Sequence, residues 1–226
     1  MKMNKKLIIA AIGLISLITL VTTNAYAYTI NDPIGDRVGL RVYEIYGMNI
    51  SNTPNTITFD IYTNYPQTGK LTGSWHTFAG DLALSLDGDS NYEYGVAFTA
   101  HDGLTAGGLY AVSDWYISNE YAPAGHGYNK NEIVTIKNGT YKAMSSLTWE
   151  DIAGDSPDYR WRVTLDASDF GLSNFYGQDF KVFYSVATCS NDNIGGSYTA
   201  ATPEPASLSL LGLGLLGLWG FRRKRS

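Results

Sequence analysis

Residues 159–165 read YRWRVTL, and their alternation decides the fold. Tyr159, Trp161, Val163 and Leu165 take every second place, with Arg160, Arg162 and Thr164 between them. Successive side chains of a strand point to opposite faces, so one face of this segment is apolar and the other charged. That pattern predicts a half-buried antiparallel strand with a fixed register. A slip of one residue would turn Arg160 and Arg162 into the core.

The same period recurs in residues 56–63 (TITFDIYT), where Ile57, Phe59 and Ile61 alternate with Thr58, Asp60 and Tyr62. Further strands are expected over 40–50, 81–86, 92–100, 109–118, 132–137 and 180–188. Turn clusters part them, at Asp87-Gly88-Asp89, Ala106-Gly107-Gly108 and Lys137-Asn138-Gly139. Nothing between 28 and 201 keeps a 3.6-residue period, and no internal repeat is present. Eight or so short strands with glycine-rich turns predict an all-β fold, an antiparallel β-sandwich or jelly roll.

Residues 87–93 carry Asp87, Asp89, Asn91 and Glu93 at alternate positions. A tight loop with oxygens so placed can wrap Ca²⁺, a hard cation that takes six to eight oxygen ligands. The first three match the opening of an EF-hand loop. Tyr92 then replaces its turn glycine, and Phe98 stands where the closing glutamate belongs. A plain hairpin tip accounts for the same residues. Asp32 and Asp36 form a second acidic pair, open to a metal or to an Asx-turn.

Residues 109–129 hold Tyr110, Trp115, Tyr116, Tyr121 and Tyr128, rings suited to stacking on sugars. Alternation limits their use, because Trp115 and Tyr116 must face opposite ways on one strand. His76, His101 and His126 are dispersed without zinc spacing, and neither a G-x-S-x-G nor a P-loop motif is present. Cys189 is the only cysteine, so no intramolecular disulfide can form. It reads as a small core residue.

Both ends of the chain read as addresses. Lys2, Lys5 and Lys6 precede an apolar stretch over 7–21, and Ala25-Tyr26-Ala27 supplies an A-x-A site. This is the pattern of a signal peptide spanning 1–27, removed by signal peptidase. At the other end come Pro203, Glu204 and Pro205, an uncharged run over 206–221, then Arg222, Arg223, Lys224 and Arg225. Sixteen residues make roughly 24 Å of helix against a hydrocarbon core of ~30 Å, a marginal span. The basic end would hold the C-terminus in the cytoplasm. A buried helix of a soluble protein would need charges at helical spacing, and 206–221 has none.

Setting these ends aside leaves 9 basic and 20 acidic side chains over 28–201, a net charge of about −11 against −5 for the whole chain. Such a surface repels nucleic acid and anionic lipid and suits an exported protein that meets divalent cations. Roughly 174 residues suffice for one domain with its own core.

The tail over 202–226, with its motif at 203–205, transmembrane helix at 206–221 and basic stop at 222–226, resembles the PEP-CTERM sorting signal of exported bacterial proteins. That resemblance implies recognition by an exosortase, a membrane protease. The Asp32-Pro33-Ile34-Gly35-Asp36 turn ahead of two strands resembles the opening of DOMON-like sandwiches and of family-nine carbohydrate-binding modules. Residues 81–95 (DLALSLDGDSNYEYG) add a strand, acidic loop and strand, and 187–192 (ATCSND) resembles a stretch found ahead of the anchor in many PEP-CTERM proteins. Nothing matches the aromatic sugar clamp of the binding modules.

The resemblances imply a non-enzymatic protein of the cell surface or extracellular matrix, anchored in the inner membrane as a precursor. They also imply association with extracellular polysaccharide. The alternative is a secreted β-sandwich lyase or hydrolase acting on polysaccharide.

Overall fold

The structure, a computed structural model, describes residues 26–202 apart from 73–74, 122–127, 153 and 155. The leader up to residue 25, the motif at 203–205, the apolar run at 206–221 and the basic end lie outside those residues. Among the described residues no helix is long and apolar enough to cross a membrane.

Two antiparallel sheets carry the fold. The first has the order β1 (Tyr26–Asn31), β2 (Ile45–Asn52), β3 (Thr56–Thr63), β11 (Tyr159–Asp166), β10 (Ser146–Asp151). The second has the order β13 (Asn193–Thr199), β12 (Asp179–Ser185), β6 (Leu82–Ser85), β7 (Tyr94–Val96), β8 (Gly108–Ile117), β9 (Ile133–Met144). β4 (Lys70–Thr72) and β5 (Trp75–Thr77) form a separate hairpin. Ala25–Ala201 makes one compact unit. The other unit, Met1–Asn24 with Thr202–Ser226, lies almost wholly outside the described residues.

Alternation in β11 places its side chains as the sequence predicts. Trp161, Val163 and Leu165 are buried, and Arg160, Arg162 and Thr164 face outward. Asp60 of β3 lies opposite Arg162 and takes both arms of its guanidinium, at 2.6 and 2.8 Å. Behind them Ile57, Phe59 and Ile61 join Leu82, Leu84, Val96, Phe180, Val182 and Tyr184 of the second sheet in one continuous core. Each such side chain contributes about 1.5–3 kcal/mol by leaving water.

Several elements differ from expectation. Lys137-Asn138-Gly139 makes no hairpin but runs inside β9, opposite Val112 and Asp114 of β8. The ladder slips there, and such bulges absorb extra residues without ending a strand. The backbone at Gly139 lies so close to β8 that a Cβ would meet the Ala111 carbonyl oxygen at 3.1 Å. β1, β10 and β13 form beyond the segments the alternation picked out, and α1 (Ser118–Tyr121) is a single helical turn after β8. Gly195 and Gly196 weaken the strand signal of β13. A Cβ on Gly195 would meet the Val182 carbonyl oxygen of β12 at 3.0 Å, whereas one on Gly196 would meet only the mobile end of Ile30.

Asn52, at the end of β2, fastens the far end of the domain. Its amide donates to the Ala201 carbonyl (3.2 Å), and its Oδ1 accepts from the Ala201 N–H (3.1 Å) and the Tyr198 hydroxyl. Tyr26, the first residue of β1, pairs with the same Asn52. Both ends of the unit therefore meet at the end of β2, one through the strand ladder and the other through the Asn52 side chain.

Candidate functional site

Asp32 follows β1 directly, and the turn over 33–36 is set by Gly35, whose φ of +92° suits glycine. The Gly35 N–H and the Arg37 guanidinium both donate to the buried carboxylate of Glu44. Glu44 thus holds the turn and is already occupied.

The connection from β12 to β13 comes to meet this turn. Val38 and Asn191 exchange two bonds, the Val38 N–H to the Asn191 carbonyl and the Asn191 amide to the Val38 carbonyl, each 2.6 Å. Asp192 follows, 3% exposed, its Oδ2 accepting the Ile45 N–H at 2.8 Å and its Oδ1 the Asn193 N–H at 2.9 Å. The turn at 32–36 and the stretch at 187–192, quoted above as separate resemblances, are two halves of one place.

Asp32, Asp36 and Asp192 bring carboxylate oxygens within 4.8 Å of one another. The Asp32 Oδ2 is buried and has no hydrogen-bond partner among the described residues. Burial, then the charges of Asp192, Asp36 and Glu44, push Asp32 up to about 8. Burial, with repulsion from Asp36 and Glu44, pushes Asp192 up to about 7 despite the bonds it accepts from backbone. A hard divalent cation would answer both the charge and the orphaned oxygen, and three converging carboxylates are the donor class it takes. These residues fit Ca²⁺.

The loop between β6 and β7 also gathers its carboxylates. Asp87, Asp89 and Glu93 come within the same 4.8 Å. One oxygen of each, however, accepts a bond from within the loop or the strand before it. The Ser85 hydroxyl (2.7 Å) and the Asp89 N–H (3.2 Å) donate to Asp87, the Asn91 N–H to Asp89 (2.7 Å), and the Leu86 N–H to Glu93 (2.6 Å). Asn91 contributes its backbone rather than its side chain. The Ser85 hydroxyl and the Asp89 N–H hold Asp87 below its ordinary value, the opposite of Asp32. Gly88, at φ +74°, completes the turn, and no orphaned buried oxygen is found in it.

Of the aromatic candidates, Tyr110 and Trp115 share a small second core with Ala97 and Ile136, apart from the main core on which Tyr128 packs. Tyr110 is 5% exposed, its hydroxyl accepting the Thr105 N–H. Trp115 is half-buried and donates Nε1–H to the Tyr92 carbonyl at 3.0 Å. Tyr116 lies beneath the Lys137 ammonium, 5.0 Å from ring centre to Nζ, and Tyr128 packs on the main core. Tyr121 closes α1, and its side chain lies outside the described residues. No shared sugar-stacking face emerges among the four described rings. Both Trp115 and Tyr116 are half-buried, because the slipped β8–β9 ladder breaks strict alternation.

Sequence reasoning singled out Asp32 and Asp36 but not Asp192. The signal was present in ATCSND, whose last residue it is. Only the pairing of β12 with β13 carries it across 160 positions.

The PEP-CTERM protein-sorting motif, as a family model, matches residues 201–225. Comparison with curated proteins and with solved structures gives no match to the chain. The matched motif marks an exported protein that is sorted through an exosortase from a membrane-anchored precursor.

Proposed function

We propose that this chain is a non-enzymatic protein of the cell surface or extracellular matrix, delivered by signal peptidase at 1–27 and by an exosortase at 203–205. Its domain is a β-sandwich of the jelly-roll or DOMON-like kind that holds Ca²⁺ through Asp32, Asp36 and Asp192 and associates with extracellular polysaccharide. The sorting motif at 201–225 carries the reading. The orphaned Asp32 oxygen among three close carboxylates supports the cation there rather than at 87–93. The acidic surface and the exported location support a matrix role.

Replacing Glu204 with Ala tests the delivery. In cells with an exosortase, the mutant should accumulate as an unprocessed, membrane-held precursor on fractionation and immunoblotting. Normal maturation and release would refute it. A glycan array probed with the full chain, with and without Ca²⁺, tests the association.

A further inference from the structure

Residues 97–107 join β7 to β8. The loop sets the Phe98 ring 5.0 Å from that of Trp161 and 5.2 Å from that of Tyr184. Phe98, Ala106 and Gly107 also wall a cleft of about 240 Å³. At the tip of the loop Asp102 and Gly103 both take positive φ, +46° and +82°, and the Leu104 N–H returns to the His101 carbonyl at 2.7 Å. Asp-Gly suits such a tight turn, because both central residues must be left-handed.

Three donors converge on the buried carboxylate of Asp81, just ahead of β6. Its Oδ1 accepts the Phe98 N–H at 2.9 Å, and its Oδ2 accepts from the Ile136 N–H of β9 and from the His101 Nε2, each at 2.8 Å. Two points of one loop hang on a single side chain. The other ring nitrogen of His101, Nδ1, lies 3.2 Å from the Asp102 Oδ2. A neutral imidazole carries one N–H and one lone pair. Between two carboxylates, either tautomer would aim its lone pair at an oxygen. Only the imidazolium, with a proton on each nitrogen, answers both.

We propose that His101 is a pH-operated latch, whose imidazolium form clamps the 97–107 loop to Asp81 and whose neutral form lets the loop loosen. The charges that face it are Asp81, from ahead of β6, and Asp102, from its own turn. β9 offers a backbone N–H there, while its Lys137 pairs with Asp114 and Glu120. β12 offers the Tyr184 phenol beside Asp81, which with Tyr65 keeps its proton because it is buried. Burial works against the charge on His101, but the bonds and charges of Asp81, then of Asp102, outweigh it and raise the pKa above the ordinary value. A group that holds its proton more tightly folded than unfolded stabilises fully below its ordinary value, about 6.5 for histidine. That contribution is lost as pH rises through the folded value, so the loop is tightest in acid. The ring is half-buried, and solvent can exchange its proton.

The test uses the full ¹⁵N-labelled chain in detergent micelles, titrated from pH 5 to 8. Ring resonances, assigned with His101→Gln, should show both nitrogens of His101 protonated in acid and a midpoint above about 6.5. Across that midpoint the protection of the Phe98 and Leu104 N–H groups against hydrogen exchange should fall about tenfold, the difference between a charge-assisted bond and a neutral one. His101→Gln keeps a donor for Asp81 and cannot charge, so it should lose this step. Asp102→Asn removes one of the two facing charges and should lower the His101 midpoint. A midpoint at or below the ordinary value overturns the latch, as does a step of equal size in His101→Gln. The titration of the unmutated chain decides the matter even if a variant folds poorly, because Phe98 protection that stays level through the His101 midpoint also overturns it.

Discussion

Asp192 accepts two backbone N–H bonds, an arrangement that ordinarily strengthens a carboxylic acid, yet its proton is held more tightly than usual. Burial and the charges of Asp36 and Glu44 outweigh the hydrogen bonds. The sign of the consequence is fixed by linkage. Asp32 and Asp192, near 8 and 7 in the fold and near 4 when unfolded, bind more protons folded than unfolded between those values. Without metal, the contribution of these two groups is therefore fully present below about pH 4 and is lost as pH rises toward 8. Thermal melts in chelator should show a lower Tm at pH 8 than at pH 5. Asp192→Asn removes a charge, so it should flatten that decline, and it keeps one acceptor of two, so it should also lower the Tm by leaving the Ile45 or the Asn193 N–H without its partner. A metal-free Tm that rises from pH 5 to 8 would refute the crowding of these carboxylates.

At the scale of elements, the entry to β6 is a tightly packed place. The Asp81 N–H bonds the Val134 carbonyl, and the Phe78 carbonyl takes the Thr188 N–H, so residues 78–81 thread between β9 and the end of β12. A Cβ on Gly80 would stand 2.3 Å from the Ser185 carbonyl oxygen and 2.8 Å from that of Val134. Neither is a flexible side-chain end. Gly80→Ala should thus cost about 1–3 kcal/mol in chemical denaturation, with strain in two strands at once. An unchanged midpoint would mean the strands are not held at that spacing. Nothing in the sequence announces this constraint, since a glycine after Phe78 and Ala79 reads as one more loop residue. By contrast, YRWRVTL disclosed which side chains of β11 are buried, because alternation is a property of the strand alone. Strand order is not. The His101 latch is equally silent in the sequence, because Asp81 and His101 stand 20 positions apart and meet only once β6 pairs with β7. Asp32 and Asp36 were legible because they lie within one turn.

Across the whole molecule, a cation at Asp32, Asp36 and Asp192 would fasten the start of the domain to its last loop. Binding to the native state alone stabilises by RT ln(1 + [L]/Kd), about 2.7 kcal/mol at 100 times Kd. For a domain of this size that amounts to several degrees. Chelation should lower the Tm by that amount at pH 7.5. Asp192→Asn should abolish the difference, and Asp89→Ala should preserve it. Superimposed melts with calcium and with chelator would dismiss the site. A response lost in Asp89→Ala and kept in Asp192→Asn would move it to the β6–β7 loop.

A tail fixed in a membrane makes Ala201 a point of tension, and Asn52 then acquires a mechanical meaning. Pull on Ala201 is met first by the two bonds it shares with Asn52. Beyond them lies β13, an edge strand whose pairs with β12 begin at Thr199 and Asp179. Drawn from that end, the strand would peel, its bonds loaded one at a time instead of together. Because Asn52 belongs to β2, it diverts part of the load into the opposite sheet before the first pair of β13 is strained. Drag on the domain is shared between two sheets through one amide.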